Sequence, residues 1–315
     1  MKGFTIGTLV STDKGLIPIE KLKVGDMVLT HTNKYRKITE IKKEKAIGCY
    51  KLQTQGSPNT LVGKDQIFIC VEKNIEYDKE NKTSIRNFSN RKNKVINKMD
   101  KNDFICIGKN TKKTASYEKI DLWFLGKFIN KGVLDSQKKE TTIFIKKDNK
   151  KNKKYLKHLK VKETKNFYKC TTDNEKIFKL CEDYQFHQSL SSTVMELPDS
   201  LLKELIYSYV DECGKKTDDN YYLVKSLNKM LIYQLGQIVS NINSFGGFSL
   251  FCEEKTYRIQ FKDHTPKSAN FVRIKNYLWQ PIREIVEISS YRGELYSLTV
   301  EIDKSYVANG IVVKS

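Results

Sequence analysis

What the sequence lacks narrows the field first. No apolar run approaches the length that crosses a bilayer as a helix, and Met1-Lys2-Gly3 leads into a strand-like segment rather than a secretory signal. An intracellular setting is therefore expected (cytoplasm, nucleus or a viral or phage compartment), with no membrane partner. The seven cysteines, at positions 49, 70, 106, 170, 181, 213 and 252, form no close pair of the metal-binding kind, and their number is odd. They read as small buried hydrophobes in a reducing compartment. Only four histidines occur, at 31, 158, 187 and 264, none beside a cysteine pair, so no zinc site is expected.

What is present can build cores. Of 315 residues, 39% are apolar, with 17 Tyr and 15 Phe, which argues against wholesale disorder and for two or three packed units. Lys and Arg number 57 against 37 Asp and Glu, a net charge of +20. Such a charge points to a polyanion, most simply nucleic acid. A composition rich in Lys, Asn, Ile and Tyr, as from an AT-rich genome, would give the same sign without any such partner.

The pattern changes twice along the chain. Residues 1–112 read as β: Thr8-Leu9-Val10, Met27-Val28-Leu29, Tyr50-Lys51-Leu52, Ile67 to Val71 and Asp103 to Ile107 are strand candidates between turn signals such as Gly25-Asp26. The polar stretch Lys79 to Lys101 reads as a loop. Residues 113–278 read as α/β. Asp121 to Ile129 and Leu201 to Val210 have helical apolar spacing, the second opened by Pro198-Asp199, and a further helix is expected over Tyr222 to Phe245. Strand candidates follow each helix, at Thr142 to Ile145 and Tyr257 to Phe261, which suggests a duplicated unit. Residues 279–315 return to β, with strands at Ile282 to Ile288, Leu295 to Val300 and Tyr306 to Val313, and hairpin-type turns at Arg292-Gly293 and Asn309-Gly310. The expected fold is α+β: a β unit made by both chain ends, interrupted at a loop by an α/β unit.

Three stretches carry a family resemblance. Phe4 to Val10 followed by Ile17 to Leu29 resembles the opening of an intein, and Tyr296 to Val300 through Ser305 to Val313 resembles the closing. Between them, Phe124 to Gly132 and Ile206 to Gly214 resemble two degraded LAGLIDADG helices of a homing endonuclease. The resemblance implies an all-β, horseshoe-shaped Hint domain split by a pseudo-twofold endonuclease domain.

It also implies which residues should do the chemistry, and they are not the residues present. Splicing needs a thiol or hydroxyl at the position of Gly3, which has no side chain. The family's Thr-x-x-His element falls on Gly63-Lys64-Asp65-Gln66, and Gln66 cannot carry a proton near neutral pH. A carboxylate is implied at Ser297, a histidine at Lys304, and a final His-Asn pair at Lys314-Ser315. Serine cannot cyclise to a succinimide. The resemblance likewise implies an acid before the last glycine of each LAGLIDADG motif, the two together holding a divalent metal. Lys131 and Cys213 stand there, while Gly132 and Gly214, implied to let the helices approach, are kept. A cation at one position opposes Mg²⁺, and a thiol is a poor ligand for it. No cofactor is expected, Mg²⁺ only if rearranged acids (Asp135, Asp211 or Glu212) rescue cleavage.

Double-stranded DNA is the expected partner. The implied saddle of antiparallel strands would present Lys138, Lys139, Lys146, Lys147, Lys150, Lys151, Lys153 and Lys154 after the first helix, and Lys255, Arg258 and Lys262 after the second. A merely solvated cationic face would look the same, and Lys131 could bind a phosphate in place of the metal. Three functions fit: a DNA-binding protein that neither splices nor cleaves, a working endonuclease with rearranged acids, and an accessory subunit of a larger nucleic-acid-processing complex. Met1, two residues ahead of Gly3, fits a free-standing reading frame and a start codon added for expression equally well.

Overall fold

The structure is a computed structural model. It describes residues 1–78, 80–109, 116–147, 152–242, 245–252, 256–263, 271–275 and 277–315. The first part of the chain gives ten strands: β1 (Phe4–Thr5), β2 (Leu9–Thr12), β3 (Gly15–Pro18), β4 (Met27–Leu29), β5 (Tyr35–Thr54), β6 (Thr60–Val62), β7 (Ile67–Asp78), β8 (Thr83–Phe88), β9 (Lys92–Val95) and β10 (Asp103–Ile107). The middle holds helices α1 (Lys119–Lys131), α2 (Lys153–Leu156), α3 (Glu175–His187), α4 (Ser192–Met195), α5 (Asp199–Cys213) and α6 (Lys229–Asn241). With them run strands β11 (Val133–Asp135), β12 (Glu140–Lys146), β13 (Lys160–Glu163), β14 (Phe167–Thr172), β15 (Gly214–Lys216), β16 (Tyr222–Ser226), β17 (Gly246–Cys252) and β18 (Tyr257–Lys262). The last part adds β19 (Val272–Ile274), β20 (Tyr277–Val300), β21 (Ser305–Ala308) and β22 (Ile311–Lys314).

The two ends of the chain build one β unit. A 14-stranded sheet runs β19-β20-β1-β6-β5-β4-β2-β21-β22-β10-β7-β8, with β3 beside β2 and β9 beside β7. Its central feature is the long antiparallel pairing of β5 with β20, from Thr54 opposite Ile282 to Ile38 opposite Val300. Phe4, in β1, is fixed between Tyr296 and Val62. Fully buried Phe4, Phe68, Leu52, Ile38, Val300 and Tyr306 form its core, the Phe4 and Tyr306 rings meeting edge to face at 6.1 Å. Each such side chain contributes about 1.5–3 kcal/mol by leaving water, so the split chain ends are held together by apolar burial as well as by the ladder.

The interruption repeats one plan twice. α1 is followed by the antiparallel sheet β11-β12-β14-β13, and α5 by the sheet β15-β16-β18-β17. α1 starts where Glu118 and Asp121 cap each other reciprocally and buries Leu122, Trp123, Phe124, Leu125 and Phe128. α5 starts at Pro198, which has no N–H to leave orphaned, and buries Leu202, Leu205, Ile206 and Tyr209. α1 and α5 pack on each other, and their shared core reaches Leu9, Leu16 and Ile107 of the β unit.

Several elements depart from the expectations. The stretch read as a loop carries, over its described residues 80–101, two strands, because β8 pairs back on the tip of β7 and β9 on its base. Ladder bonds carry these polar segments, which have no apolar alternation to announce them. Tyr222 to Ser226 is a strand, and the helix begins only after Asn228, whose side chain caps it through the Leu231 N–H at 3.0 Å. Arg292-Gly293 is no turn: β20 continues through it with a register shift between Ile288 and Arg292. Asn309-Gly310 does turn the chain, with both residues left-handed at φ of 48° and 79°. The chain re-enters the large sheet at β19, ahead of the expected change at 279.

Candidate functional site

Polar side chains converge at two places, one at the meeting of the chain ends and one between the paired helices. At the first, Gln66 is the centre. It is 1% exposed. Its Oε1 accepts from the Gly3 N–H at 3.1 Å, and its Nε2 donates to the Lys314 carbonyl at 2.8 Å. The amide orientation is fixed by these partners, since a flip would set NH₂ against N–H and oxygen against oxygen. Gln66 thus ties the segment entering β1 to β22 by hydrogen bonds.

The backbone around it leaves no room for side chains at Gly3 and Gly63. Gly3 has φ of +117°, a region an L-residue rarely enters, and a Cβ there would stand 2.6 Å from the Tyr296 carbonyl oxygen and 3.2 Å from the Ser297 nitrogen. At Gly63 a Cβ would stand 2.4 Å from the Met1 carbonyl oxygen. Ser297, half-buried in β20 opposite Lys42, borders this junction. Lys304 is exposed, and its carbonyl accepts from the Ser315 N–H at 3.1 Å. One histidine does come near, His31, whose Nδ1 lies 2.7 Å from the buried Ser305 hydroxyl. Burial, then the charges of Arg91 and Lys314, hold its pKa below the usual histidine value. No spacing in the sequence relates His31 to Ser305, 274 positions on.

At the second place, α1 and α5 pack closely at Gly126. A Cβ there would stand 1.8 Å from Ser208 Oγ and 2.7 Å from the Leu205 carbonyl oxygen. This corrects the expectation for Gly132 and Gly214. Both end their helices in extended conformation, and their missing side chains make room for Phe128 and Val210 of their own helices. Lys131 is exposed, and Cys213 is partly buried with its thiol pKa pushed up to about 11 by burial. Neither suits a hard divalent cation.

The fallback acids are engaged elsewhere. Lys127, one turn before Lys131 on α1, has a fully buried side chain whose Nζ lies 2.9 Å from Glu212 Oε1 and 3.5 Å from Asp211 Oδ2 on α5. An internal ammonium thereby takes up both carboxylates. Asp135 accepts from the N–H groups of Gln137 and Lys138 at 3.1 and 3.0 Å and shapes the turn after β11. Among the described residues no three His, Cys, Asp or Glu gather closely enough to hold a metal ion. The residues present do not fit the metal implied by a LAGLIDADG helix pair. Lys127 was legible in principle, as the one cation inside the apolar run Leu122 to Phe128.

The outward faces of the two small sheets are cationic. In the first, Ile143, Ile145 and Cys170 face the core, so Thr142, Phe144, Lys146, Lys169 and Thr171 face out, with Lys160 and Lys162 on the neighbouring edge strand. In the second, Val224, Ile259 and Phe261 face in, leaving Lys215, Lys225, Arg258, Gln260 and Lys262 outward. Of the expected cations, Lys146, Arg258 and Lys262 are on these faces, Arg258 over the Phe251 ring at 4.2 Å and Lys262 over the Tyr221 ring at 4.3 Å. Lys138 and Lys139 are in the turn before β12, and Lys147 pairs with Glu163. Lys153 and Lys154 lie in α2, where Lys154 reaches Glu204 of α5 at 3.8 Å rather than the sheet face. Lys150, Lys151 and Lys255 lie outside the described residues. Lys160, Lys162, Lys169, Lys215 and Lys225 were missed, because they alternate singly along strands instead of forming runs.

Residues 2–62 match the Hint domain family. The Hint match covers the opening strands β1 to β6, and the pairing of β1 and β5 with β20 shows that the Hint-like unit is completed by the end of the chain. No curated protein matches the chain by sequence. Among solved structures, the chain is similar to the homing endonuclease I-DmoI at 12% identity, over 46% of this chain and 89% of that one, with a TM-score of 0.33. I-DmoI has been crystallised in complex with DNA and Mn. A variant of the Ssp DnaB mini-intein matches at 9% identity over 100% of this chain and 99% of that one, TM-score 0.38. The gp41-1 intein matches at 19% identity over 30% and 83%, TM-score 0.21. No helix is long and apolar enough to cross a membrane among the described residues.

Proposed function

We propose that this chain binds double-stranded DNA through the outward faces of its two small sheets and neither splices protein nor cleaves DNA. The observation that carries the reading is the pair of cationic faces, centred on Lys146 and Lys169 in one sheet and Lys225 and Arg258 in the other. Each follows a helix of the α1–α5 pair at corresponding places in a duplicated unit. Phosphates would fix position through these cations, with Thr142, Thr171 and Gln260 between them to reach base edges. Cleavage is absent because Lys131 and Cys213 replace metal-holding acids and Lys127 neutralises Asp211 and Glu212. Splicing is absent because Gly3 offers no nucleophile and Ser315 no amide.

Binding to a randomised duplex library, measured by fluorescence anisotropy in EDTA, tests this. Affinity should fall steeply with salt, and removing one phosphate-contacting lysine should flatten the log–log slope by about 0.9. Incubating the same library with Mg²⁺ or Mn²⁺ should give no cuts. Cuts abolished by changing Asp211 or Glu212 would establish a rearranged nuclease instead. Affinity for duplex indifferent to salt would favour docking to a protein complex.

A further inference from the structure

The first of the two small sheets carries two outward side chains that can take no part in phosphate contacts. Phe144 of β12 and Phe167 of β14 are each 40% exposed. Phe144 stands opposite Lys169, and Phe167 opposite Lys146. The two rings are therefore diagonal neighbours, about 7–8 Å apart between Cα atoms, and the two lysines occupy the other diagonal. Lys162 of β13 stands beside Lys169, and the Thr142–Thr171 pair completes the next row. A single exposed apolar side chain is ordinary. Here two are set together within a cationic face, where lysine or threonine would be better hydrated. The second sheet treats its rings differently: Arg258 lies over Phe251 at 4.2 Å, and Lys262 over Tyr221 at 4.3 Å. In the first sheet Lys147 lies over Tyr168 at 5.7 Å, and among the described residues no cation lies over Phe144 or Phe167. Their faces are bare.

We propose, resting on the DNA-binding function above, that Phe144 and Phe167 pack against thymine C5-methyl groups in the major groove and direct the first sheet to thymine-bearing sites. The thymine methyl is an apolar group presented on the groove edge, and Phe is among the side chains that meet it. The flanking Lys146 and Lys169 take phosphates, which fixes how the rings face the bases. The diagonal spacing of the rings spans about two base-pair steps of about 3.4 Å each, so the two methyls belong to thymines about two steps apart. Uracil offers the same donors and acceptors as thymine without the methyl, which isolates this contact from all others. Taking one methyl out of water is worth about fourfold in affinity, and two about fifteenfold. The covered rings of the second sheet add no such preference.

Fluorescence anisotropy with the full chain in EDTA tests the proposal, using a thymine-rich mixed-sequence duplex and the same duplex with every thymine replaced by uracil. The thymine duplex should bind about fourfold to fifteenfold more tightly. The two log–log salt slopes should run parallel, because the phosphates are unchanged. Phe144→Ala and Phe167→Ala should each lower the thymine-to-uracil ratio by about fourfold, with folding checked by circular dichroism. Salt-dependent binding that is equal for the two duplexes overturns this inference and leaves the DNA-binding function standing. A ratio that survives both Phe→Ala changes overturns it as well. Tighter binding to the single strand than to its duplex would assign the rings to base stacking and also overturn it. Absence of salt-dependent binding to either duplex overturns the DNA-binding function and this inference with it.

Discussion

Replacing Lys127 with methionine isolates the ion pair between the two central helices. Methionine keeps most of the stem and its packing against α5, so the change removes charge more than volume. In the parent, the Lys127 side chain is fully buried, while those of Asp211 and Glu212 retain 28% and 13% of their exposure. Removing one partner of a buried pair costs about 3–5 kcal/mol, because the remaining charge is left without compensation. Here two acids lose one shared cation, and their partial exposure lets water offset part of that loss. The lower end, about 3 kcal/mol, is the expected cost. For a unit of this size each kcal/mol moves the melting temperature by about 2–4 °C, so a fall of about 6–12 °C is expected by scanning calorimetry. The double variant Lys127→Met with Glu212→Gln should recover much of it, since the closest charge is then neutral. Melting within about 1 °C of the parent would refute the reasoning. A loss that Glu212→Gln fails to relieve would assign the effect to packing rather than charge.

Other outcomes follow from single contacts. Gly126→Ala places a methyl 1.8 Å from Ser208 Oγ and should cost about 1–3 kcal/mol by overpacking, partly relieved by Ser208→Ala, as read from urea unfolding. Gly3→Cys should not restore thioester chemistry: no dithiothreitol-induced cleavage at residue 3 should appear on mass spectrometry. It should destabilise by about 1–3 kcal/mol, since φ of +117° and the Tyr296 carbonyl both oppose a side chain. His31 has a folded pKa below its unfolded value near 6.5. The unfolded chain therefore takes up the proton first, and stability should decline as pH falls through about 6.5 toward the folded pKa. His31→Gln should flatten that limb of the stability profile, and an unchanged limb would show that other groups control it.

Much of the architecture was legible because it rests on local signals. The helices around Asp121 to Ile129 and Leu201 to Val210 announce themselves by apolar spacing, and Asn309-Gly310 by turn chemistry. What was not legible is held by partners distant in sequence. β8 and β9 are strands only because β7 is there to receive their polar backbones. Arg292-Gly293 resembles a hairpin turn, yet β5 pairs past it and carries β20 straight through. Gln66 could be read as standing at an acid-base position but not as a clasp, because the two partners that make it one lie 63 residues before it and 248 after it. The cationic faces were half legible: runs of lysine drew attention to turns and α2, while alternation along β13, β14 and β16 carried the better-placed charges.

The two sites share a logic: under the proposed reading, the residues that stand in place of catalytic groups are fitted to their surroundings. A nucleophile or an acid that merely decays leaves a gap, or a buried polar group short of a partner, and such groups cost about 1–3 kcal/mol each. At the chain ends the Ser315 hydroxyl fits that pattern, being buried with no hydrogen-bond partner, while Gly3, Gly63 and Gln66 do not. Glycine at position 3 coincides with a backbone dihedral that suits glycine and with a carbonyl standing where a side chain would be. Glycine at 63 lets the Met1 carbonyl approach in the same way. Gln66 meets one donor, the Gly3 N–H, and two acceptors, the Lys314 and Ile67 carbonyls, with the matching ends of its amide. Between the helices, the buried Lys127 of α1 stands against Asp211 and Glu212, two neighbouring acids of α5 whose charges it offsets. Placing a side chain at Gly3 or Gly63, or removing the charge of Lys127, would therefore create a clash or an uncompensated charge.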